Sequence, residues 1–286
     1  MLAGLTHRLR ANQTRILASR FRASVAIILR GGQREGSPVE VLFIKRSARE
    51  GDPWSGHVAF PGGKREGGES DMECAVRETR EEVGIDLSAG FTFLGRLDDR
   101  PVYTGGMAVQ GSAFCVGVWL QTVPSTLPMR LQQDEVADVR WVAVEHLMPH
   151  RVDWAGIARP AVRYLPGWLC TALGLHEIYL PSILLPAERD RPSKVEWRLW
   201  GMSLTATSDL LLAAGLCQKP LNRPPIDVRG NIAGRLLLNA YCGFLEVSEV
   251  VRGKGLGSLS ARHAGTLAAA LCLLSLGARQ AALLFV

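Results

Sequence analysis

The sequence predicts an α/β fold, and two observations carry the prediction. Residues 24–30 (SVAIILR) and 40–46 (EVLFIKR) are short β-branched runs separated by Gly31, Gly32, Gly36 and Pro38, which reads as a strand hairpin. A charged, glycine-rich segment, 60–68, then leads into a helical stretch over 71–83 that Gly84 can terminate at C′.

The later elements follow the same alternation. Residues 91–97, 111–120 and 136–144 have strand character, and 145–148 reads as the start of a helix. Between 150 and 190 the pattern is broken by Pro160, Pro166, Pro181 and Pro186. A strand is expected again over 197–204 and a helix over 206–216. From Lys219 the composition shifts through Pro220, Pro224 and Pro225 into a Leu/Ala/Gly-rich tail, and no internal repeat is present.

At 286 residues and 47% hydrophobic, the chain can bury a sizeable core and is not disordered in composition. Six cysteines stand far apart without a CxxC pair, which excludes a zinc ribbon or a small disulfide framework and makes a reducing compartment the default. The net charge of +6 favours anionic partners, but much of the excess lies in Arg8, Arg10, Arg15, Arg20 and Arg22, ahead of the first acid, Glu35. That opening fits either a mitochondrial transit peptide or, through Leu5, Leu9 and Leu17, an amphipathic first helix, so the location expected is mitochondrial or cytoplasmic. Residues 265–278 are apolar but shorter than the roughly 20 residues of a spanning helix. They suit a buried or interfacial helix, with a tail anchor as the alternative.

The chemistry concentrates between Gly63 and Ile85. Ser70 followed by Glu73 is a capping box, which sets the helix start at about Asp71. At roughly 100° per residue, Met72, Val76, Thr79 and Val83 fall on one stripe, expected to pack, with Glu78, Glu81 and Glu82 opposite. Three carboxylates so close repel unless a cation neutralises them, and hard oxygen ligands select Mg²⁺ or Mn²⁺. Arg77, one turn before Glu81, can hold that carboxylate. A solvated acidic helix face is the plain alternative.

The whole pattern decides against that alternative. The segment resembles the Nudix box, G-x5-E-x7-R-E-U-x-E-E-x-G-U, with every fixed position met by Gly63, Glu69, Arg77, Glu78, Glu81, Glu82 and Gly84. Thr79 alone departs, standing where an aliphatic residue is usual, and its effect should be on packing more than on chemistry. The resemblance implies a Nudix-type α/β/α sandwich with a mixed sheet, and water attack on a nucleoside diphosphate derivative. It further implies Glu78 and Glu82 as core metal ligands, Glu81 as a further ligand or the base, and a backbone carbonyl near Gly62 or Gly63 completing the site. Glu69 is expected to pair with Arg77 and brace the loop. Glu135, just before a strand, looks like the extra carboxylate many relatives supply from a distant loop, against the plain reading of an exposed loop acid.

The segment upstream narrows the branch. Lys45-Arg46-Ser47 followed by Gly56-His57-Val58-Ala59-Phe60-Pro61-Gly62-Gly63 resembles coenzyme A diphosphatases, although the loop is one residue longer and Gly51 stands where that branch has arginine. Tyr179 to Ser182 with Leu199 to Leu204 resembles the end of the same branch. The organisation expected is therefore an N-terminal segment 1–20, a hydrolase domain 21–216 and an extension 217–286. A 3′-phosphate on the substrate would need cations, which Lys45, Arg46, Arg49, Lys64 and Arg65 could provide. His57 reads as a structural loop residue, and Trp54 or Phe60 could stack on a base or pack in the core. Two other readings stand beside this one: a hydrolase of another nucleotide, and a nucleotide-binding module without catalysis. The partner expected is a small nucleotide, not a nucleic acid, since no basic–aromatic stripe marks a groove.

Overall fold

The computed structural model describes residues 2–11, 14–31, 38–52, 54–104, 107–108, 111–123, 128–148, 152–157, 178–186 and 196–221. The apolar stretch 265–278 lies outside them. Among the described residues no helix is long and apolar enough to cross a membrane.

The chain divides into two compact units, Met1–Asp153 with Ser182–Asn222, and Trp154–Pro181 with Arg223–Val286. In the first unit the elements run α1 (Leu2–Ala11), β1 (Phe21–Arg30), β2 (Glu40–Arg46), β3 (Val58–Ala59), β4 (Gly62–Lys64) and α2 (Asp71–Val83). They continue with β5 (Phe91–Arg96), β6 (Tyr103–Thr104), β7 (Met107–Ala108), β8 (Ser112–Gln121), β9 (Val136–Ala143) and a 3-10 turn at Val144–Leu147. After β10 (Val152–Ile157) and β11 (Ile178–Leu184) come β12 (Arg198–Trp200) and α3 (Gly201–Ala213). The described residues of the second unit are all strand, at the end of β10 and the start of β11.

The central sheet is mixed. β1 runs parallel to β8 along its whole length, while β2, β4, β5 and β9 join their neighbours antiparallel. β1 and β2 do form the expected hairpin at Leu29–Val41 and Arg30–Glu40. Toward its start β1 pairs instead with β4, so the glycine-rich segment lies against the sheet centre.

Side-chain alternation divides the sheet's two faces into separate cores, as a period of two requires. Val25, Ile27, Leu29, Val41 and Phe43 face Leu5 and Leu9 of α1 and Leu204, Leu210 and Leu211 of α3. Ala26, Ile28, Leu42 and Ile44 face Ala75 and Val83 of α2. Helices on both faces of a mixed sheet make the α/β/α sandwich that was expected.

Two expectations need correction. The strand expected over 197–204 ends at Trp200, where Gly201 turns to φ 61° and α3 begins. The helix continues through Thr205 and Thr207, whose hydroxyls donate back to the carbonyls of Gly201 (3.1 Å) and Ser203 (2.8 Å). The helix expected from 145 is the short 3-10 turn, beginning one residue earlier.

Candidate metal centre

α2 has the local structure its sequence specifies. Ser70 caps the helix in extended backbone and accepts from the Glu73 amide (3.2 Å), while the Glu73 carboxylate accepts from the Ser70 amide (2.7 Å). At the other end Gly84 takes φ 75°, and its N–H reaches the Arg80 carbonyl. Asp71, in the first turn, is favoured by the helix dipole and gripped by Arg22 from β1 at 2.7 Å. Arg22 also binds Asp99 at 2.6 Å, and Arg96 contacts both acids. This buried network pins the start of α2 to β1 and the end of β5.

The helix faces differ from those expected. Cys74, Ala75, Thr79, Glu82 and Val83 are buried, whereas Met72 and Val76 lie at the border. Glu82 is therefore on the packed side, 1% exposed, because β4 offers it a partner: the Gly62 amide donates to Glu82 Oε2 at 2.8 Å. Hydrophobic patterning registers only apolar side chains and misses an inward carboxylate that has a donor. Thr79 is fully buried with its hydroxyl satisfied by the Ala75 carbonyl at 2.7 Å.

The acids that converge are Glu78, Glu82 and Glu135, each offering an oxygen within 4.8 Å of the others. Glu81 is not among them. Its side chain is 52% exposed and ion-paired to Arg77 Nη1 at 3.0 Å, as the one-turn spacing suggested. Arg77 also contacts Glu78 at 2.9 Å and takes both oxygens of Glu69, the brace expected. That pairing holds the Glu69 carboxyl down at about 2.

Burial pushes the Glu82 carboxyl up to about 8, against the pull of the Gly62 amide and Arg46, and the neighbouring Glu78 and Glu135 push the same way. Glu78 is raised too, first by burial. Crowded, desolvated carboxylates of this kind fit a hard divalent cation, which would relieve both the repulsion and the lost hydration. The approach of the backbone supports the fit. A Cβ at Gly63 would stand 2.6 Å from the Glu78 carboxylate, so glycine leaves the room that carboxylate occupies. Gly63→Ala is accordingly expected to displace Glu78 and lower Mn²⁺ affinity by about tenfold or more. Calorimetric titration checks this, and unchanged affinity would remove Gly63 from the site.

The expected cations separate. Arg46 reaches Asp52 at 2.9 Å and acts electrostatically on Glu82, and Arg49 lies 3.5 Å from Glu135, so both belong to this centre. Lys64 is exposed on β4, its carbonyl accepting from Arg77. Lys45 is not brought to the acids. It donates to the Glu196 carbonyl on the other face of the sheet, where burial and then Arg140 depress its pKa. Arg65 turns to Asp71. Phe60 is core, 4.9 Å from Phe43, whereas Trp54 is 43% exposed. His57 sets its ring edge against Trp200, a packing role.

Sequence reading missed Arg22, Asp99 and Arg96. They have no mutual spacing, and topology alone brings them under α2.

The model of the NUDIX domain matches residues 20–165, just over half of the chain. An uncharacterized protein of Schizosaccharomyces pombe is 41% identical over 110 residues, covering 38% of this chain and 33% of that protein. Human mitochondrial coenzyme A diphosphatase NUDT8 is 38% identical over 104 residues, covering 36% of this chain and 39% of that protein. The matches thus span between a third and two fifths of those relatives. Among solved structures, a Caenorhabditis elegans Ap4A hydrolase complex is 21% identical with a TM-score of 0.34, over 43% of this chain and 80% of that one. A Burkholderia pseudomallei MutT Nudix hydrolase is 26% identical with a TM-score of 0.30, over 47% of this chain and 86% of that one.

Proposed function

This chain belongs to the Nudix domain family, and from that premise we propose that it hydrolyses the diphosphate bond of coenzyme A or an acyl-coenzyme A, giving 3′,5′-ADP and a phosphopantetheine product. The observation that carries the reading is the convergence of Glu78, Glu82 and Glu135 beside the Gly62–Gly63 backbone. Glu82 and Glu78 would hold the cation, Mg²⁺ or Mn²⁺, with Glu135 and a backbone carbonyl of the Gly62–Gly63 segment completing its protein ligands. A divalent cation bound there supplies charge neutralisation on the diphosphate and acidifies an attacking water.

The surrounding residues orient and balance the centre. Glu135, the most open of the three acids, has a second carboxylate oxygen besides the one it would give the cation, and with it serves as the base for water in preference to the outward-facing Glu81. Arg77 fixes Glu78 and Glu69 together and keeps the β4–α2 loop closed against the helix. Arg46 and Arg49 lie where an anionic substrate would approach, and Lys64 is exposed on the neighbouring strand. The choice of coenzyme A rests on the segment from Lys45 to Gly63 and is supported by the similarity to the human coenzyme A diphosphatase.

A second reading, a Nudix hydrolase of another nucleotide, is favoured by the longer 46–56 loop with Gly51 in place of arginine. One experiment separates them. The purified chain with Mg²⁺ or Mn²⁺ is given coenzyme A, acyl-coenzyme A, sugar nucleotides, dinucleotides and nucleoside triphosphates, in ¹⁸O-labelled water, with products identified by mass. Coenzyme A should be consumed and 3′,5′-ADP released. Turnover of sugar nucleotides with none of coenzyme A would establish the second reading, and no turnover of any compound would leave a binding module.

A further inference from the structure

On the reading that Glu135 is a metal ligand, we propose that Ser47 is the positioning residue that holds Glu135 over the metal centre, working with a bulge in β9. The pairing of β2 with β9 slips at this point: Lys45 faces Asp138 but Arg46 faces Val136, so Ala137 has no partner. One extra residue reverses side-chain parity. Val142 and Val144 lie in the core under α1 and α3, yet Val136, an even number of residues away, lies in the core under α2. The bulge thereby resets the strand's facing just where Glu135 precedes it.

Ser47 then ties the turn that bears the acid. Its amide donates to the Glu135 carbonyl at 2.9 Å and its hydroxyl to the Gln133 carbonyl at 2.7 Å. Within the turn, the amides of Glu135 and Val136 both reach the Gln132 carbonyl at 2.8 Å. On the far side the Gln132 amide donates to the Glu82 carbonyl at 3.0 Å, and the Arg130 amide to that of Val83. The turn is thus strung between the end of β2 and the backbone of the helix that supplies Glu78 and Glu82. Of these ties only the Ser47 hydroxyl comes from a side chain, so it is the one a substitution can remove. The bond is solvent-exposed, and water can replace it at the Gln133 carbonyl without unfolding. What is lost is the aim of Glu135.

The test is Mn²⁺ titration of the full chain by electron paramagnetic resonance, without substrate, for Ser47→Ala, Ser47→Thr, Glu135→Gln and the Ser47→Ala/Glu135→Gln double variant. Ser47→Ala should weaken Mn²⁺ binding about tenfold, the scale of an outer-shell partner, with an unchanged thermal midpoint, and Ser47→Thr should restore it. The double variant should bind no more weakly than Glu135→Gln, because Ser47 acts through that acid. If Glu135→Gln alone leaves binding unchanged, the ligand reading of Glu135 falls. If Glu135→Gln weakens binding while Ser47→Ala does not, only the role of Ser47 falls. An additional loss in the double variant would mean that Ser47 supports the structure generally, and would equally overturn the proposal.

Discussion

Glu82→Gln is expected to lower kcat by about 10³-fold or more, the scale of removing a charge that acts in the transition state, while the metal-free protein stays as stable as the parent or becomes more so. The two effects part because Glu82 is 1% exposed and surrounded by Glu78 and Glu135. Glutamine keeps an acceptor for the Gly62 amide at the position where Glu82 Oε2 now sits at 2.8 Å. It removes only the capacity to ionise.

The pH dependence follows from the same burial. The native Glu82 carboxyl keeps its proton until about pH 8, whereas an unfolded chain releases it near the ordinary value of 4.5. The native state then binds more protons across that interval, so metal-free stability falls as pH rises toward 8. Glutamine does not ionise, and this slope should vanish from the variant. Cation binding runs the other way: it requires the ionised carboxylate, so affinity climbs with pH over the same interval. Turnover assays and thermal melts at pH 5 and pH 8 check both halves. Unchanged turnover would remove Glu82 from the metal site, and a melt collapsed at both pH values would make its role structural.

Arg22→Met should cost about 3–5 kcal/mol of stability, the range for removing one member of a buried ion pair. Arg22 is 7% exposed and joins Asp71 at 2.7 Å and Asp99 at 2.6 Å, with its guanidinium also donating to the Leu17 carbonyl. Methionine fills much of the volume but leaves two buried carboxylates to Arg96, with Arg65 at 3.3 Å from Asp71 and the Leu17 amide on Asp99 beside it. For a unit of this size the loss corresponds to a midpoint lowered by roughly 6–20 °C. Urea denaturation measures it directly, and a change below about 1 kcal/mol would show the network to be energetically idle. Because Asp71 opens α2, metal affinity should fall with stability here, in contrast to Ser47→Ala.

Much of the centre was legible in the sequence. The limits of α2, its capping box, the Gly84 terminator and the Glu69–Arg77 brace are local, set by residues within a few turns of one another. β2 was likewise read to its bounds, because an isolated β-branched run between loops admits few alternatives. The strand expected over 197–204 runs too far because its short apolar run suits a helix as well as a strand, and Gly201, at φ 61°, turns the chain into α3 there. The inward turn of Glu82 was illegible because its donor, Gly62, belongs to another element.

What the sequence determined by itself is the chemistry: a helix bearing Glu78 and Glu82 with glycines before it, since spacing along one helix fixes which side chains can meet. What the tertiary structure decided is membership. It drew Glu135 in and left Glu81 outside, seated Arg22 beneath the helix, and turned Lys45 to the opposite face. The reason lies in the sheet, whose strand pairings and the bulge in β9 bring distant residues together, and such pairings leave no periodic trace in a linear sequence.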